Sequence, residues 1–199
     1  MPTTITSISQ LDLNGTYTYA DYLTWRLDEW VELIKGRVQL MSPAPRRAHQ
    51  TVSTRLTSVV ENHLFGHPCE VYAAPFDVRL TTSNANGDAQ ITTVVQPDIC
   101  VVCDPQKLDE RGCLGAPDWV IEVVSPRTAS YDTRTKFELY QEAGVTEYWI
   151  AFPGEKSIDA YVLDDGHYQL RGTYDGPGPM PSHTLPELTL TWERVFTGL

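Results

Sequence analysis

No apolar run approaches the roughly eighteen residues that a membrane helix needs, so no membrane span is expected. The start, "MPTTITSISQ", lacks the basic then apolar layout of a secretory leader. A cytoplasmic protein is therefore the default expectation. Positive charge is scarce: 15 Lys and Arg stand against 26 Asp and Glu, for a net charge of −11 and a pI near 4.8. That balance excludes a general nucleic-acid coat protein, which needs a broad basic surface. Any phosphate ligand must be met by a few well-placed cations, and by a metal. Cysteine is sparse too, and the four present lack the regular spacing of a disulfide framework. There is no internal repeat and no low-complexity stretch.

What remains is a chain of 199 residues, 41% hydrophobic, enough for one domain with a real core. "TYADYLTWRLDE" (16–29) reads as a short helix, and "WVELIKGRVQLMS" (30–42) as a hairpin turning at Lys35-Gly36. From Ala48 to Phe65 the apolar residues Val52, Leu56, Val60 and Leu64 repeat with helical spacing. "EVYAAPFDVRL" (70–80) alternates like a strand, with Pro75 marking an edge or a bulge. "ITTVVQPDICVVC" (91–103), "DWVIEVV" (118–124) and "VTEYWIAF" (145–152) read as strands covered on both faces. The segment between Asp104 and Pro117 reads as a loop with a helical turn. "YDTRTKFELYQEAG" (131–144) reads as a helix closed by Gly144. A second hairpin turns at Asp165-Gly166, and "LPELTLTWERVF" docks as a tail with a short helix. The expected architecture is one mixed α/β domain over 1–199.

Three ionisable residues do not fit a plain core. With a strand period of two, Asp98 shares its face with Gln96, Cys100 and Val102, and Glu122 shares its face with Val120 and Val124. On the following helix Lys136 projects along the stripe of Leu139, Tyr140 and Ala143. A lysine aimed at the core needs a carboxylate partner or loses its charge. The three groups therefore answer one another's desolvation cost. The same group suits metal-assisted phosphodiester hydrolysis: two carboxylates supply hard oxygen ligands to Mg²⁺ or Mn²⁺. A lysine can then orient the attacking water or stabilise the crowded phosphoryl oxygens.

"QPDICVV" followed by "DWVIEVVSPRTASYDTRTKFELYQEAGVTEYWI" resembles the bacterial Uma-two family of restriction-endonuclease-like proteins, within the PD-(D/E)XK nuclease superfamily. "VELIKGRVQLMSPAPRRAHQ" and "APFDVRL" extend the resemblance over about 17–163, leaving the C-terminal hairpin and tail at 156–199. The resemblance implies an α/β (α+β) fold with a restriction-endonuclease-like core: a central mixed β-sheet flanked by helices, with N-terminal and C-terminal β-hairpins. It also implies a DNA endonuclease dependent on Mg²⁺ or Mn²⁺, working as a homodimer. Pro97-Asp98 match the "PD" half and Glu122 the (D/E) position. The in-line lysine is replaced by Val124, and Lys136 resembles a migrated substitute. Glu32 resembles the upstream acid that completes such sites, and the Val123 carbonyl stands where a third metal ligand is expected. A nuclease-fold binding or assembly module that has lost catalysis is the alternative the missing in-line lysine favours.

Several residues carry two readings. Asp98 also reads as a strand-entry residue accepting backbone amides, and Glu122 with Lys136 as a structural ion pair. Glu32 alternates with Trp30 and Ile34, pointing inward or standing as an exposed hairpin acid. His49 faces the interior, to contact a phosphate, position a ligand or simply fill the core. Gln96 assists the metal site or bonds a neighbouring strand. Asp77 and Arg79 share a face and read as a mutual pair. Arg46, Arg47, Arg127 and Arg134 flank the site in sequence and read as phosphate contacts or as solvated loop charge. Cys100 and Cys103 point to opposite strand faces, which argues against a shared zinc. Tyr140, Tyr148 and Trp149 read as core rather than as base-stacking platforms.

Overall fold

The structure is a computed structural model that describes residues 4–41, 46–81, 87–125 and 131–199. Helix α1 (Tyr19–Tyr22) starts where the Thr18 hydroxyl caps Asp21 and the Asp21 carboxylate caps Thr18 in return. Strands β1 (Val31–Ile34) and β2 (Arg37–Leu40) form a hairpin whose turn residues, Lys35 and Gly36, both have positive φ, 49° and 80°. That is the turn whose twist matches paired strands. Helix α2 (Arg47–Leu64) buries the stripe of Val52, Leu56, Val60 and Leu64.

Two long runs that read as single strands, 70–80 and 91–103, each turn out to be two strands in different sheets. β3 (Glu70–Ala73) is separated from β4 (Val78–Arg79) at Pro75, and β5 (Val94–Val95) from β6 (Ile99–Val102) at Pro97. A proline cannot donate to a ladder, so each run leaves one sheet there and enters the other. The expected loop after Asp104 holds a 3-10 turn (Pro105–Lys107) and a small hairpin, β7 (Leu108–Asp109) with β8 (Gly112–Leu114). Strand β9 (Trp119–Val123) leads to Tyr131–Lys136, a π-helical turn, and then to α3 (Phe137–Ala143). Gly144, with φ 83°, closes α3 and delivers β10 (Glu147–Phe152), which runs parallel to β9. β11 (Ser157–Asp164) and β12 (His167–Tyr174) form the second hairpin, and α4 (Trp192–Phe196) ends the fold.

The sheet orders are β2-β1-β5-β4-β8-β7 and β12-β11-β10-β9-β6-β3. Each is mixed, with a single parallel pair among otherwise antiparallel neighbours. One face of the second sheet packs Ile121, Val123 and Trp149 against the α2 stripe and the C-terminal residues Met180, Leu190 and Phe196. Its other face packs Val120, Val124 and Tyr148 against Leu139 and Tyr140 of α3 and against Val78, Val95 and Cys113 of the first sheet. Leu11, Tyr19 and Trp25 cover the outer face of that first sheet. None of the described helices is long and apolar enough to cross a membrane.

The C-terminal segment is held by one buried carboxylate. Glu147, 1% exposed, accepts from Trp149 Nε1 at 2.8 Å, Ser182 Oγ at 2.8 Å, His183 N at 2.9 Å and Thr184 N at 2.7 Å. Hydrogen bonds to a charged acceptor contribute about 1.5–3 kcal/mol each. Glu147→Ala is expected to cost at least about 3 kcal/mol. Limited proteolysis should then cut first within the freed C-terminal segment; unchanged protection would show that the apolar contacts alone hold it.

The cysteines depart from expectation. Cys69 and Cys103 form a disulfide across β3 and β6, one step beyond the Glu70 and Val102 pair. Cys100 lies on the opposite face of β6, in the inter-sheet cluster. Burial pushes the Cys113 thiol up to about 11 and the Cys100 thiol higher still. Native protein purified without reductant should give no rapid reaction with Ellman's reagent near neutral pH. Guanidinium should release two thiols, Cys100 and Cys113; four would show that the disulfide is not formed.

Candidate functional site

The chain changes sheets at Gln96-Pro97-Asp98, and the polar residues converge at this crossing. β6 and β9 pair antiparallel, with Ile99 opposite Ile121. One step further sets Asp98 opposite Glu122, both ahead of the inter-sheet core. The Asp98 carboxylate is fixed through one oxygen. Its Oδ2 accepts the Val123 amide at 2.8 Å and lies 3.2 Å from His49 Nε2, on the first turn of α2. Oδ1 has no hydrogen bond among the described residues, and the side chain is 22% exposed, so this oxygen stands open to a ligand.

Behind Asp98 the site is closed. Lys136 Nζ lies 2.8 Å from Glu122 Oε1 and 3.1 Å from Glu32 Oε1, with all three side chains no more than 5% exposed. Of the two directions open to it, Glu32 therefore takes the inward one. The distances also join residues from three elements: β1, β9 and the π turn before α3. Ions this dry hold their charge only through one another.

One member was missed in sequence. The Tyr140 hydroxyl donates to the same Glu122 Oε1 at 2.8 Å. Burial, then the charges of Glu122 and Glu32, raise its pKa well above the ordinary tyrosine range, so it stays a donor. Its place four residues after Lys136, one turn along the helix, was the available signal. Tyr140→Phe should keep the ring and remove this donor, costing about 1.5–3 kcal/mol. A denaturant midpoint unchanged from wild type would count against the bond.

A second layer supports Glu32. The Gln96 main-chain N–H, freed from the ladder at the crossing, donates to Glu32 Oε1 at 2.9 Å. Its side-chain amide donates to Asp77 Oδ1 at 2.8 Å, and the Tyr19 hydroxyl donates to Asp77 Oδ2 at 3.0 Å. Asp77 and Arg79 are not the mutual pair their spacing suggested. Arg79 ends β4 and Asp77 directly precedes that strand, but Arg79 turns to Asp109 at 2.7 Å and to the Gly112 and Cys113 carbonyls. Arg46, Arg47 and Arg134 are exposed, Arg46 immediately before α2 and Arg134 in the π turn. Arg127 lies outside the described residues. Tyr148 and Trp149 are fully buried.

Among the described residues no group of three or more His, Cys, Asp and Glu is arranged to hold a metal ion. The oxygen donors here are the facing carboxylates of Asp98 and Glu122, the open Asp98 Oδ1 foremost, with the Val123 main chain beside Asp98. Such a set is too thin for zinc, which takes three or four protein ligands rich in nitrogen and sulfur. It fits magnesium or manganese, which bind through one or two carboxylates and keep several waters.

Known proteins share this architecture. A crystal structure titled as a putative nuclease belonging to DUF820, from Anabaena variabilis ATCC 29413, superposes with a TM-score of 0.67. It covers 90% of this chain and 97% of its own at 21% identity, which establishes the common fold. The protein slr1290 of Synechocystis sp. (strain ATCC 27184 / PCC 6803 / Kazusa) is 28% identical over 148 residues, 73% of each chain. The family model Uma2, described as "Putative restriction endonuclease", matches residues 19–193, from α1 to α4 and across every strand that builds the site. The chain is thus a member of the Uma2 family of restriction-endonuclease-like proteins.

Proposed function

We propose that the protein is a divalent-metal-dependent endonuclease that hydrolyses DNA phosphodiester bonds, acting as a homodimer. Family membership and fold support a nuclease-like function. The observation that carries the finer reading is the ammonium of Lys136, 2.8 Å from Glu122 on the strand beside Asp98. Val124 leaves the in-line lysine position empty of charge, and Lys136 brings an ammonium to the same carboxylate from the helix side.

Asp98 and Glu122, with the Val123 carbonyl, would hold Mg²⁺ or Mn²⁺. When bound, the ion would make a water easier to deprotonate to the attacking hydroxide and would offset charge on the phosphate. Lys136 Nζ sits between two carboxylates, 2.8 Å from Glu122 and 3.1 Å from Glu32. Its role is therefore to donate to the water or to a phosphoryl oxygen, not to act as a base. Glu32 holds that ammonium in place, Gln96 holds Glu32, and His49 fixes Asp98. The exposed Arg46, Arg47 and Arg134 would contact backbone phosphates, with Arg127 as a further candidate in sequence.

The test is supercoiled plasmid incubated with wild type and with Asp98→Asn, in Mn²⁺ and in EDTA. Nicking by wild type in Mn²⁺ alone supports the assignment. Equal nicking by both proteins is contamination and rejects it. DNA binding by wild type without any cleavage would favour a non-catalytic module that keeps the nuclease fold.

A further inference from the structure

An acidic protein that acts on nucleic acid must hold its substrate by something besides net charge. Trp30 is placed to do so. Its indole is 58% exposed, whereas Trp25, Trp119 and Trp149 are buried and Trp192 is half-buried. Met41 N donates to Trp30 O at 3.0 Å, which carries the β1–β2 ladder one pair beyond Val31 and Leu40. Trp30 therefore keeps the strand alternation and projects from the face of Glu32, two residues or about 7 Å along.

The other neighbour of β1 fixes where that face opens. Leu33 pairs with Val94 of β5. That pairing is antiparallel, so the step from Leu33 back to Trp30 runs in the direction in which β5 leads into Gln96 and Pro97, ahead of Asp98. Asp98 is the acid of the site with solvent access, at 22% exposure against 2% for Glu32 and 3% for Glu122. An exposed indole thus lies on the strand that holds Glu32, toward the crossing that carries Asp98. Phe65, the other exposed aromatic among the described large apolar side chains, lies past the far end of α2 from His49.

We infer that Trp30 is a stacking platform for an unpaired nucleobase next to the phosphate presented to Asp98. Arg46, exposed and three residues before His49, is the cation placed to meet the neighbouring phosphate. The inference rests on the nuclease reading of the site and adds to it a substrate feature: a single-stranded or locally unpaired segment. Stacking suits an acidic protein because a base presents its π-face whatever the sequence, and the contact needs no cationic field.

The test uses the full chain in Ca²⁺ with three labelled probes of equal length: a single DNA strand, the blunt duplex of the same sequence, and a strand of abasic sites. The single strand should bind tightest and quench tryptophan fluorescence. Trp30→Ala should abolish the quenching and weaken single-strand binding about 5- to 150-fold. Trp30→Phe should keep most of the affinity, and abasic binding should be the same for wild type and Trp30→Ala. Equal binding of the single strand by wild type and Trp30→Ala overturns the stacking role while leaving the nuclease reading standing. So does a wild-type preference for the duplex. Shielding of Trp30 from acrylamide in the free protein overturns it too, since a second copy would then cover the indole. Failure of wild type to bind any of the three probes overturns the nuclease reading itself, and the inference with it.

Discussion

Glu122→Gln is expected to leave a folded protein whose metal-dependent DNA cleavage falls by about 10³-fold, the loss that removal of one charge-stabilising group brings. The amide oxygen can still accept from Lys136 and Tyr140, which now meet at Glu122 Oε1. What the substitution removes is the negative charge and the second acceptor oxygen. Lys136 keeps Glu32, 3.1 Å away, as an ionic partner. The stability cost should therefore stay within about 1–3 kcal/mol. A large loss of activity with a small loss of stability separates a reactive carboxylate from a structural one. The measurement is initial-rate plasmid nicking in Mn²⁺ beside guanidinium unfolding of the same preparations. If nicking persists at the wild-type rate, Glu122 is a structural residue and the assignment fails.

Lys136→Met should strike stability hardest. It leaves Glu32 and Glu122, 2% and 3% exposed, without the ammonium between them. Removing one partner of a buried ionic group costs about 3–5 kcal/mol, because the remaining charge stays in a dry site. Much of that loss should return when Glu32→Gln is added, since one stranded charge is then gone. Guanidinium midpoints of wild type, single and double variants check this. Equal midpoints for wild type and Lys136→Met would mean that the ammonium does not hold the carboxylates together.

The features that came through in the sequence are those set by one periodicity alone. The α2 stripe from Val52 to Leu64, the two glycine turns and the shared faces of Glu122 with Val120 and Val124 all follow from local spacing. The approach of Lys136 to Glu122 could be argued because a short connection must return the helix near its own strand. Partner choice was another matter. The short apolar stretches on either side of Pro75 and Pro97 look alike, and nothing in their composition says which sheet each will join. Glu32 had two directions open to it because Trp30, on its own face, is exposed while Val31 and Leu33, on the other, are buried. Cys69 and Cys103, 34 residues apart, become partners only once β3 lies beside β6. Tyr140 read as core because its ring is core; only the hydroxyl belongs to the site.

The most direct measurement of whether these carboxylates serve chemistry is the anomalous scattering of Mn²⁺ soaked into crystals of the wild-type protein. One strong peak is expected between Asp98 and Glu122, about 2.1 Å from a carboxylate oxygen of each and next to the Val123 carbonyl. The Lys136 ammonium should stay paired with Glu122. No peak there, with manganese found only at scattered surface acids, would contradict the account and leave Glu32, Glu122 and Lys136 as a buried structural ion group.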